Sequence, residues 1–292
     1  MDNRKICVII TMKGERNVET IKSGPWEGTV APECGGNFVS LKYVGQELLR
    51  SPESLEMLRG RPCLYGFPLI LPANRTEDGI FTFEGRKYQL PINEAAFHNH
   101  IHGILRDAPF CILEQTEHSV KTVLENKGDH YPFSFKLFIE DTLSDKGWLR
   151  QMTLQNTDAR TMPYTLGFHT TFREPAQLSV PISACYEVSD RYIPTGKLLP
   201  LTALQRTYKE GMCPGGSRLS GFYTSCGSTA YIGNFAMTVS EQFDHWVLFS
   251  TGEGEFVCIE PQCGAVNGLN NGRHRVLPPG EKEVFTIKIT TC

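Results

Sequence analysis

Short stretches of alternating apolar and polar residues recur along most of the chain, and they limit its fold more than any other feature. A period of two residues is typical of β-strands that bury one face. The alternation is clearest in segments 81–90, 133–139, 149–154, 246–249, 256–259 and 284–289. Turn-forming residues lie between such segments, at 145–147, 156–158, 252–254 and 278–280. Because many short strands separated by glycine and proline are typical of sandwiches and barrels, we expect an all-β, antiparallel fold.

Local sequence patterns predict one hairpin and very little helix. Segment 81–90 alternates on both sides of Gly85, which predicts a hairpin that turns there. Segment 51–59 begins with a cap-like Ser51 followed by proline, and this predicts one or two helical turns. The stretch 209–227 is rich in glycine, serine and cysteine and predicts a long loop. Strands do not alternate with helices, which argues against a parallel α/β sheet.

The length and composition are those of one globular domain. The chain has 292 residues, of which 40% are hydrophobic and 21% are charged, so it can bury a sizeable core. It contains no linker, repeat or low-complexity tract. We therefore expect residues 1–292 to form a single domain.

Charge and hydropathy exclude several classes of partner. The net charge is −3 and no basic stripe is present, so we expect no nucleic-acid partner. The apolar run 6–12 is too short for the core of a signal peptide, and no window approaches the roughly 20 apolar residues that span a bilayer. These features predict a cytoplasmic protein without a membrane partner. For the assembly we expect a monomer or a homodimer, and the sequence does not choose between them. None of the ten cysteines forms a C-x-x-C pair, so we expect buried thiols in a reducing compartment.

Asn74 and Arg75 are the first candidates for binding a ligand. They follow an apolar strand that ends at Pro72, where a loop should open. The planar fork of donors on arginine suits sugar hydroxyls. An ion pair at the surface is the alternative interpretation of Arg75.

Three histidines, His98, His100 and His102, are spaced two residues apart. On one strand they would share a face, which could bind a metal in a cupin-like enzyme. A second interpretation is that only His102 is functional, because the adjacent Gly103 allows a ligand or another backbone to come close. The third is a set of exposed polar residues on a strand edge.

His169 and Glu260 are the strongest candidates for acid–base chemistry. His169 lies in the apolar and aromatic segment 162–172, where burial would disfavour the imidazolium unless a carboxylate is near. Glu260 ends an apolar strand directly before proline, and an unpaired buried carboxylate is costly. Gln262 adds a donor and an acceptor beside it. A satisfied core histidine and a structural ion pair are the alternatives.

Taken in order, these motifs resemble the aldose 1-epimerase (galactose mutarotase-like) family. The matching segments are 35–41, 74–75, 79–90, 102–103, 167–172, 259–262 and 277–281. Together they cover roughly residues 28–290 at the spacing of the family. No single motif is specific, but their order and spacing are.

The resemblance implies an antiparallel β-supersandwich with a sugar groove and an enzyme that opens and recloses an aldose ring without a cofactor. It implies that His169 protonates the ring oxygen and that Glu260 takes the proton of the anomeric hydroxyl. Arg75 and His102, helped by Asn74 and Gln262, would hold the sugar. Neither a Walker loop nor a G-x-G-x-x-G motif occurs in the chain, and we expect no resident metal.

One difference from the family concerns the sugar. Galactose-active members carry an aspartate between the acid and the base that binds sugar hydroxyls, and here Ser220 stands at the corresponding position. The sequence therefore does not predict galactose as the substrate. Two alternatives stay open: a hexose-6-phosphate epimerase that uses Arg75 and Arg106, and a sugar-binding protein without catalysis.

Overall fold

A computed structural model describes residues 18–292, which form a protein of antiparallel strands. The apolar run 6–12 lies outside the described residues. All twenty strand pairings of the described sheets are antiparallel, which confirms the predicted fold class. Within residues 18–292, no helix has the length and apolar character needed to cross a membrane.

Short strands follow one another along the chain, with few helices between them. The first part contains β1 (Glu19–Ser23), β2 (Trp26–Ala31), β3 (Asn37–Tyr43), β4 (Gln46–Glu47), α1 (Leu55–Gly60), β5 (Leu69–Ile70), β6 (Arg75–Glu77), β7 (Ile80–Phe83), β8 (Arg86–Gln89), β9 (Asn99–Ile101), β10 (Cys111–Gln115), β11 (Ser119–Asn126) and β12 (Phe135–Ser144). The second part contains β13 (Gly147–Asn156), β14 (Met162–Tyr164), β15 (Leu166–Phe168), β16 (Thr171–Arg173), β17 (Leu178–Ser179), β18 (Ile182–Val188), β19 (Pro194–Pro200), α2 (Ala203–Glu210), β20 (Ser220–Ser225), β21 (Thr229–Ile232), β22 (Phe235–Val239), β23 (His245–Phe249), β24 (Phe256–Cys263), α3 (Gly268–Asn271), β25 (Arg275–Leu277) and β26 (Lys282–Thr291).

Two eight-stranded sheets dominate the architecture. The back sheet has the order β10-β11-β12-β13-β26-β22-β21-β17. The front sheet has the order β19-β18-β20-β23-β24-β15-β5, and β16 also pairs with β24. A four-stranded sheet, β1 to β4, and the pairs β14-β25, β6-β9 and β7-β8 complete the described sheets.

The main hydrophobic core draws residues from both large sheets. Along β12, buried and half-buried residues alternate, as the period of two predicts. The ring of Phe67 lies 4.9 Å from Trp148 of the back sheet and 6.2 Å from Phe168 of the front sheet. Each fully buried side chain of this kind contributes about 1.5–3 kcal/mol relative to its exposed state.

Strand β24 connects this core to the face that carries the candidate residues. All eight of its residues are buried. Val257 and Ile259 belong to the core cluster, whereas Glu260 and Gln262 point to the opposite face, because side chains alternate along a strand. One rigid strand thus has the core on one side and the candidate site on the other.

The local predictions are confirmed in part. The hairpin is present, with β7 and β8 joined through Gly85 at a φ of +75°. Helix α1 begins after Ser54, which accepts a hydrogen bond from Met57, so the predicted cap at Ser51 is wrong.

Two further predictions are wrong because pairing between strands overrides the local sequence. The predicted loop 209–227 contains β20, which pairs with both β18 and β23. Glu260 does not end its strand, because β24 continues through Pro261 to Cys263.

Helix α2 was not predicted, although Thr202 and Gln205 form the capping box that marks its start.

Candidate active site

His169 and Glu260 are brought together by two strands that share one neighbour. β15 and β16 both pair with β24, and His169 lies in the short connection between them. The connection therefore passes beside Glu260, and His169 Nε2 lies 3.4 Å from Glu260 Oε1. Only 7% of the histidine side chain and 2% of the glutamate side chain are exposed.

Gln262 fixes the orientation of the Glu260 carboxyl group. Its Nε2 donates to Glu260 Oε2 at 3.1 Å, which leaves Oε1 facing His169. Gly167 packs against this glutamine so closely that a Cβ would lie 2.8 Å from Gln262 Cγ. A side chain at position 167 would therefore push the glutamine away from the glutamate.

Burial shifts the pKa values of the two candidate catalytic groups in opposite directions. Desolvation lowers the pKa of His169 to about 4. Desolvation raises the pKa of Glu260 to about 8, although the hydrogen bond from Gln262 and the charge of Arg75 act in the other direction. Between these values the pair holds one proton, so one member can donate while the other accepts.

Arg75 is held rigidly at the edge of this site. Its Nε donates to Glu94 Oε2 at 2.9 Å, and its second guanidinium nitrogen donates to Glu94 Oε1 at 2.6 Å. The remaining nitrogen donates to Asn74 Oδ1 at 3.3 Å, and the ring of Tyr192 lies 5.0 Å from the guanidinium carbon. Arg75 therefore does form the ion pair of the alternative interpretation, but the pair is not at the exposed surface, because the Arg75 and Glu94 side chains are only 14% and 15% exposed.

His102 lies against the histidine of the pair. Its ring packs edge-on against the ring of His169, with 4.9 Å between the centroids. Its backbone has a φ of +63°, and its N–H donates to the carbonyl of Asn74 at 2.8 Å. At Gly103, a Cβ would lie 2.0 Å from the carbonyl oxygen of Leu71, which confirms that glycine allows a close backbone approach there.

The three histidines of segment 98–103 do not converge. β9 covers only 99–101, and both His98 and His102 have positive φ, so the alternation that would align them is broken. His98 is exposed, with Nδ1 3.0 Å from Asp78. His100 is buried, with Nδ1 2.7 Å from the carbonyl oxygen of Pro91. The three-histidine metal site and the exposed strand edge are therefore both wrong interpretations.

Several buried polar atoms of the site have no hydrogen-bond partner among the described residues. They are His169 Nδ1, His102 Nδ1 and Gln262 Oε1. Most buried polar groups in proteins are paired, so a cluster of unpaired ones needs an explanation. A ligand with several hydroxyl groups can both donate to and accept from such atoms.

Ser220 is not brought together with the other candidates. It is an exposed residue that pairs with Phe249 on β23, whereas Glu260 pairs with Val247. Two strand spacings of about 4.8 Å and two residues of about 3.4 Å separate it from Glu260, which amounts to about 12 Å. A sugar-binding role for Ser220 stays a prediction.

The sequence did not predict two residues that support Arg75. Glu94 precedes a short 3₁₀ turn, and Tyr192 lies in the loop between β18 and β19. Neither has a motif of its own, because each acts only through its contact with Arg75. Arg191, beside Tyr192, donates to Asp78 at 2.7 Å and so ties this loop to the segment that follows Arg75.

Comparison with known proteins assigns the fold to a known group. A galactose mutarotase-like protein from Clostridium acetobutylicum superposes with a TM-score of 0.86 at 23% identity, over 94% of this chain and 95% of that protein. The GalM/aldose epimerase homologue from C. elegans superposes with a TM-score of 0.80 at 15% identity, over 94% and 99%. At these identities the likeness concerns the fold, and it confirms the galactose mutarotase-like supersandwich.

Sequence comparison extends this assignment from fold to family. The uncharacterized protein YihR of Escherichia coli (strain K12) is 26% identical over 200 residues, which are 65% of this chain and 63% of YihR. The sequence profile of the aldose 1-epimerase family matches residues 27–290, and this range includes every candidate residue described above. The match extends over nearly the whole described chain, and the chain belongs to the aldose 1-epimerase family.

Proposed function

We propose that the protein is a mutarotase that interconverts the α and β anomers of an unphosphorylated aldose. The observation that carries this proposal is the contact of 3.4 Å between His169 Nε2 and Glu260 Oε1, two side chains that are almost fully buried. Ring opening requires one proton to reach the ring oxygen while another leaves the anomeric hydroxyl. A buried pair that shares one proton meets both requirements.

In the proposed mechanism His169 is the acid and Glu260 is the base. Before ring opening the shared proton is on His169, and afterwards Glu260 carries the proton taken from the anomeric hydroxyl. The pKa of His169 near 4 and that of Glu260 near 8 favour the second arrangement. Rotation about the C1–C2 bond and reversal of both transfers then close the ring to the other anomer.

The substrate is held, in this proposal, by groups that surround the pair. His102 and Gln262 each present a buried atom that lacks a partner among the described residues, and sugar hydroxyls would supply those partners. Arg75 and Asn74 bind each other and so form a rigid donor–acceptor edge. Rigid groups lose little entropy when the sugar binds, which favours accurate placement of the anomeric carbon.

The charges around the site favour a free sugar over a phosphorylated one. A phosphate dianion needs cations that are not already neutralised. Arg75 is bound through two nitrogens to Glu94. Arg106 donates to the carbonyls of Ile101 and Gly103, and its buried Nε has no hydrogen-bond partner among the described residues and lies 3.7 Å from the exposed Asp107 carboxylate. A phosphate dianion would therefore rely on Arg106 alone.

An anomer-exchange screen tests this proposal directly. Polarimetry or NMR exchange would be run on free hexoses, pentoses, deoxysugars and hexose phosphates, with the uncatalysed rate in the same buffer subtracted. We expect acceleration for at least one free aldose and little for the phosphates. Saturable sugar binding without acceleration would identify a binding protein, and acceleration confined to phosphates would identify a hexose-6-phosphate epimerase.

A further inference from the structure

A third side chain, that of Cys258, points into the space beside the acid–base pair. It lies two residues before Glu260 on β24, and alternate residues of a strand share a face. Its partner across the strand pair is Thr171, whose hydroxyl lies 3.6 Å from the cysteine sulfur. One ligand atom from each of His169, Cys258 and Glu260 falls within 4.8 Å of the other two.

These three donors suit a zinc ion. Imidazole nitrogen, thiolate sulfur and carboxylate oxygen are its usual protein ligands. In a tetrahedral site, nitrogen and oxygen ligands each about 2.1 Å from the ion are about 3.4 Å apart. The distance between His169 Nε2 and Glu260 Oε1 is 3.4 Å. The sulfur lies within 4.8 Å of one ligand atom of each of the other two residues, and a tetrahedral site would require it to approach them by no more than about 1.3 Å.

The surroundings of the three donors favour reversible binding over a permanent ion. Gln262 Nε2 holds the second oxygen of Glu260 at 3.1 Å, as an outer-shell partner would. His169 Nδ1 is buried without a partner in the described part of the chain, so it is available to carry the hydrogen while Nε2 binds metal. A permanent site would normally supply an acceptor for that hydrogen.

We propose that His169, Cys258 and Glu260 form a zinc site that reversibly blocks the active site. On binding, a sulfur–zinc bond replaces the S–H bond of Cys258, and the thiol proton passes to solvent. The ion occupies the acid and the base together, so neither can exchange a proton with a sugar. Mg²⁺ and Ca²⁺ do not compete, because they prefer sets of oxygen ligands. Only the inhibition rests on the proposed function, since metal binding rests on the geometry of the three donors.

Binding is tested with Co²⁺, which takes the place of Zn²⁺ and shows thiolate ligation by a charge-transfer absorption band. We expect metal-free wild-type protein to develop this band with one ion per chain, and added Zn²⁺ to abolish it. The band should be lost in Cys258→Ser and in Cys258→Ala. The matched control is Cys263→Ser, a buried residue of the same strand that faces the other way, and it should retain the band. No band in the wild type, or an unchanged band in the Cys258 variants, would overturn the site.

Inhibition is tested by adding Zn²⁺ to the anomer-exchange assay. We expect Zn²⁺ to inhibit the wild type and Cys263→Ser, and a chelator to restore both. Measured against its own zinc-free rate, Cys258→Ser should need at least about tenfold more Zn²⁺ for the same inhibition, since losing a ligand costs no less than losing an outer-shell partner. Equal zinc sensitivity in Cys258→Ser and wild type would overturn the proposal. A Co²⁺ band in a protein without mutarotase activity would uphold the metal site and reject the proposed function.

Discussion

Within residues 18–292, two ion pairs have both side chains almost fully buried, and they differ in how completely their polar atoms are hydrogen-bonded. Asp141 and Arg150 face each other across β12 and β13, with their side chains 2% and 1% exposed. Asp141 accepts from two nitrogens of Arg150 at 2.8 and 2.9 Å and from Trp148 Nε1 at 3.1 Å. Arg150 also donates to the backbone carbonyls of Phe67 and Gly36, at 3.1 and 3.0 Å.

The pair formed by His169 and Glu260 is equally buried but much less satisfied. Its single contact between the two side chains is 3.4 Å long, and Gln262 is the other side chain that holds the carboxyl group. His169 Nδ1 and Gln262 Oε1 have no partner within residues 18–292. A fully satisfied network stabilises one structure, whereas open donors and acceptors are available to a substrate. The first pair therefore serves the fold, and the second is proposed to serve catalysis.

The largest expected effect comes from replacing either member of the second pair. Glu260→Gln and His169→Ala should each lower kcat by about 10²–10⁴-fold, the usual contribution of a general acid or base. Polarimetric initial rates with each active sugar would measure it, with circular dichroism to check the fold. Rates near wild type in either variant would remove that residue from the proposed mechanism.

The same Glu260→Gln variant should not lose stability, in contrast to a change in the first pair. The pKa of Glu260 rises from 4.5 to about 8 on folding, so between these values the unfolded chain releases a proton that the folded protein retains. The folded wild type is therefore penalised by up to about 1.4 kcal/mol per pH unit across this window. Glutamine carries no such penalty. Urea unfolding should therefore show that the free energy of unfolding of Glu260→Gln, relative to that of the wild type, rises from pH 4.5 to 8.

The next largest effect is expected from breaking the Asp141–Arg150 pair, which should lower the free energy of unfolding and leave kcat nearly unchanged. Asp141→Ala leaves the Arg150 charge buried and unpaired, which costs about 3–5 kcal/mol of unfolding free energy. Lys22→Ala is the control, because its ion pair with Glu27 is exposed and worth less than about 1 kcal/mol. Equilibrium unfolding in urea measures both. If the kcat of folded Asp141→Ala fell as far as that of Glu260→Gln, the division between the two pairs would be wrong.

The sequence predicted the fold class and indicated His169 and Glu260 as candidates, but it did not predict the pair formed by Asp141 and Arg150. Alternation along the chain predicted the strands because one buried face is a local property. Asp141 and Arg150 flank the predicted turn at 145–147, so their pairing could have been derived by continuing the register outward from Ser144 and Gly147. Glu94 had no such signal, because its contact with Arg75 depends on how β6 meets β9.

A smaller and sharper test is the pH dependence of the reaction. Because the active form of the pair holds one proton, activity should fall below the pKa of His169, near 4, and above that of Glu260, near 8. Outside these limits kcat/KM should change by about tenfold per pH unit. The measurement needs subtraction of the acid- and base-catalysed background at every pH. A profile that continues to rise well beyond pH 8 would contradict an active pair that holds one proton.

The smallest expected effect concerns a third ion pair, Arg75 and Glu94, which shares features with both the Asp141–Arg150 pair and the His169–Glu260 pair. Arg75 and Glu94 match the first pair in their two-nitrogen geometry, but they are 14% and 15% exposed and lie beside the second. Arg75→Ala should raise KM by about tenfold, the value of one lost hydrogen bond from a charged group, and change kcat less.

Arg75→Lys provides the matched control, because it keeps the charge and loses the planar fork. If the fork positions the sugar, the lysine variant should resemble alanine in KM. If charge alone matters, the lysine variant should resemble the wild type. An unchanged KM in Arg75→Ala would assign this pair to the fold, together with Asp141 and Arg150, and would leave His102 and Gln262 as the groups proposed to hold the sugar.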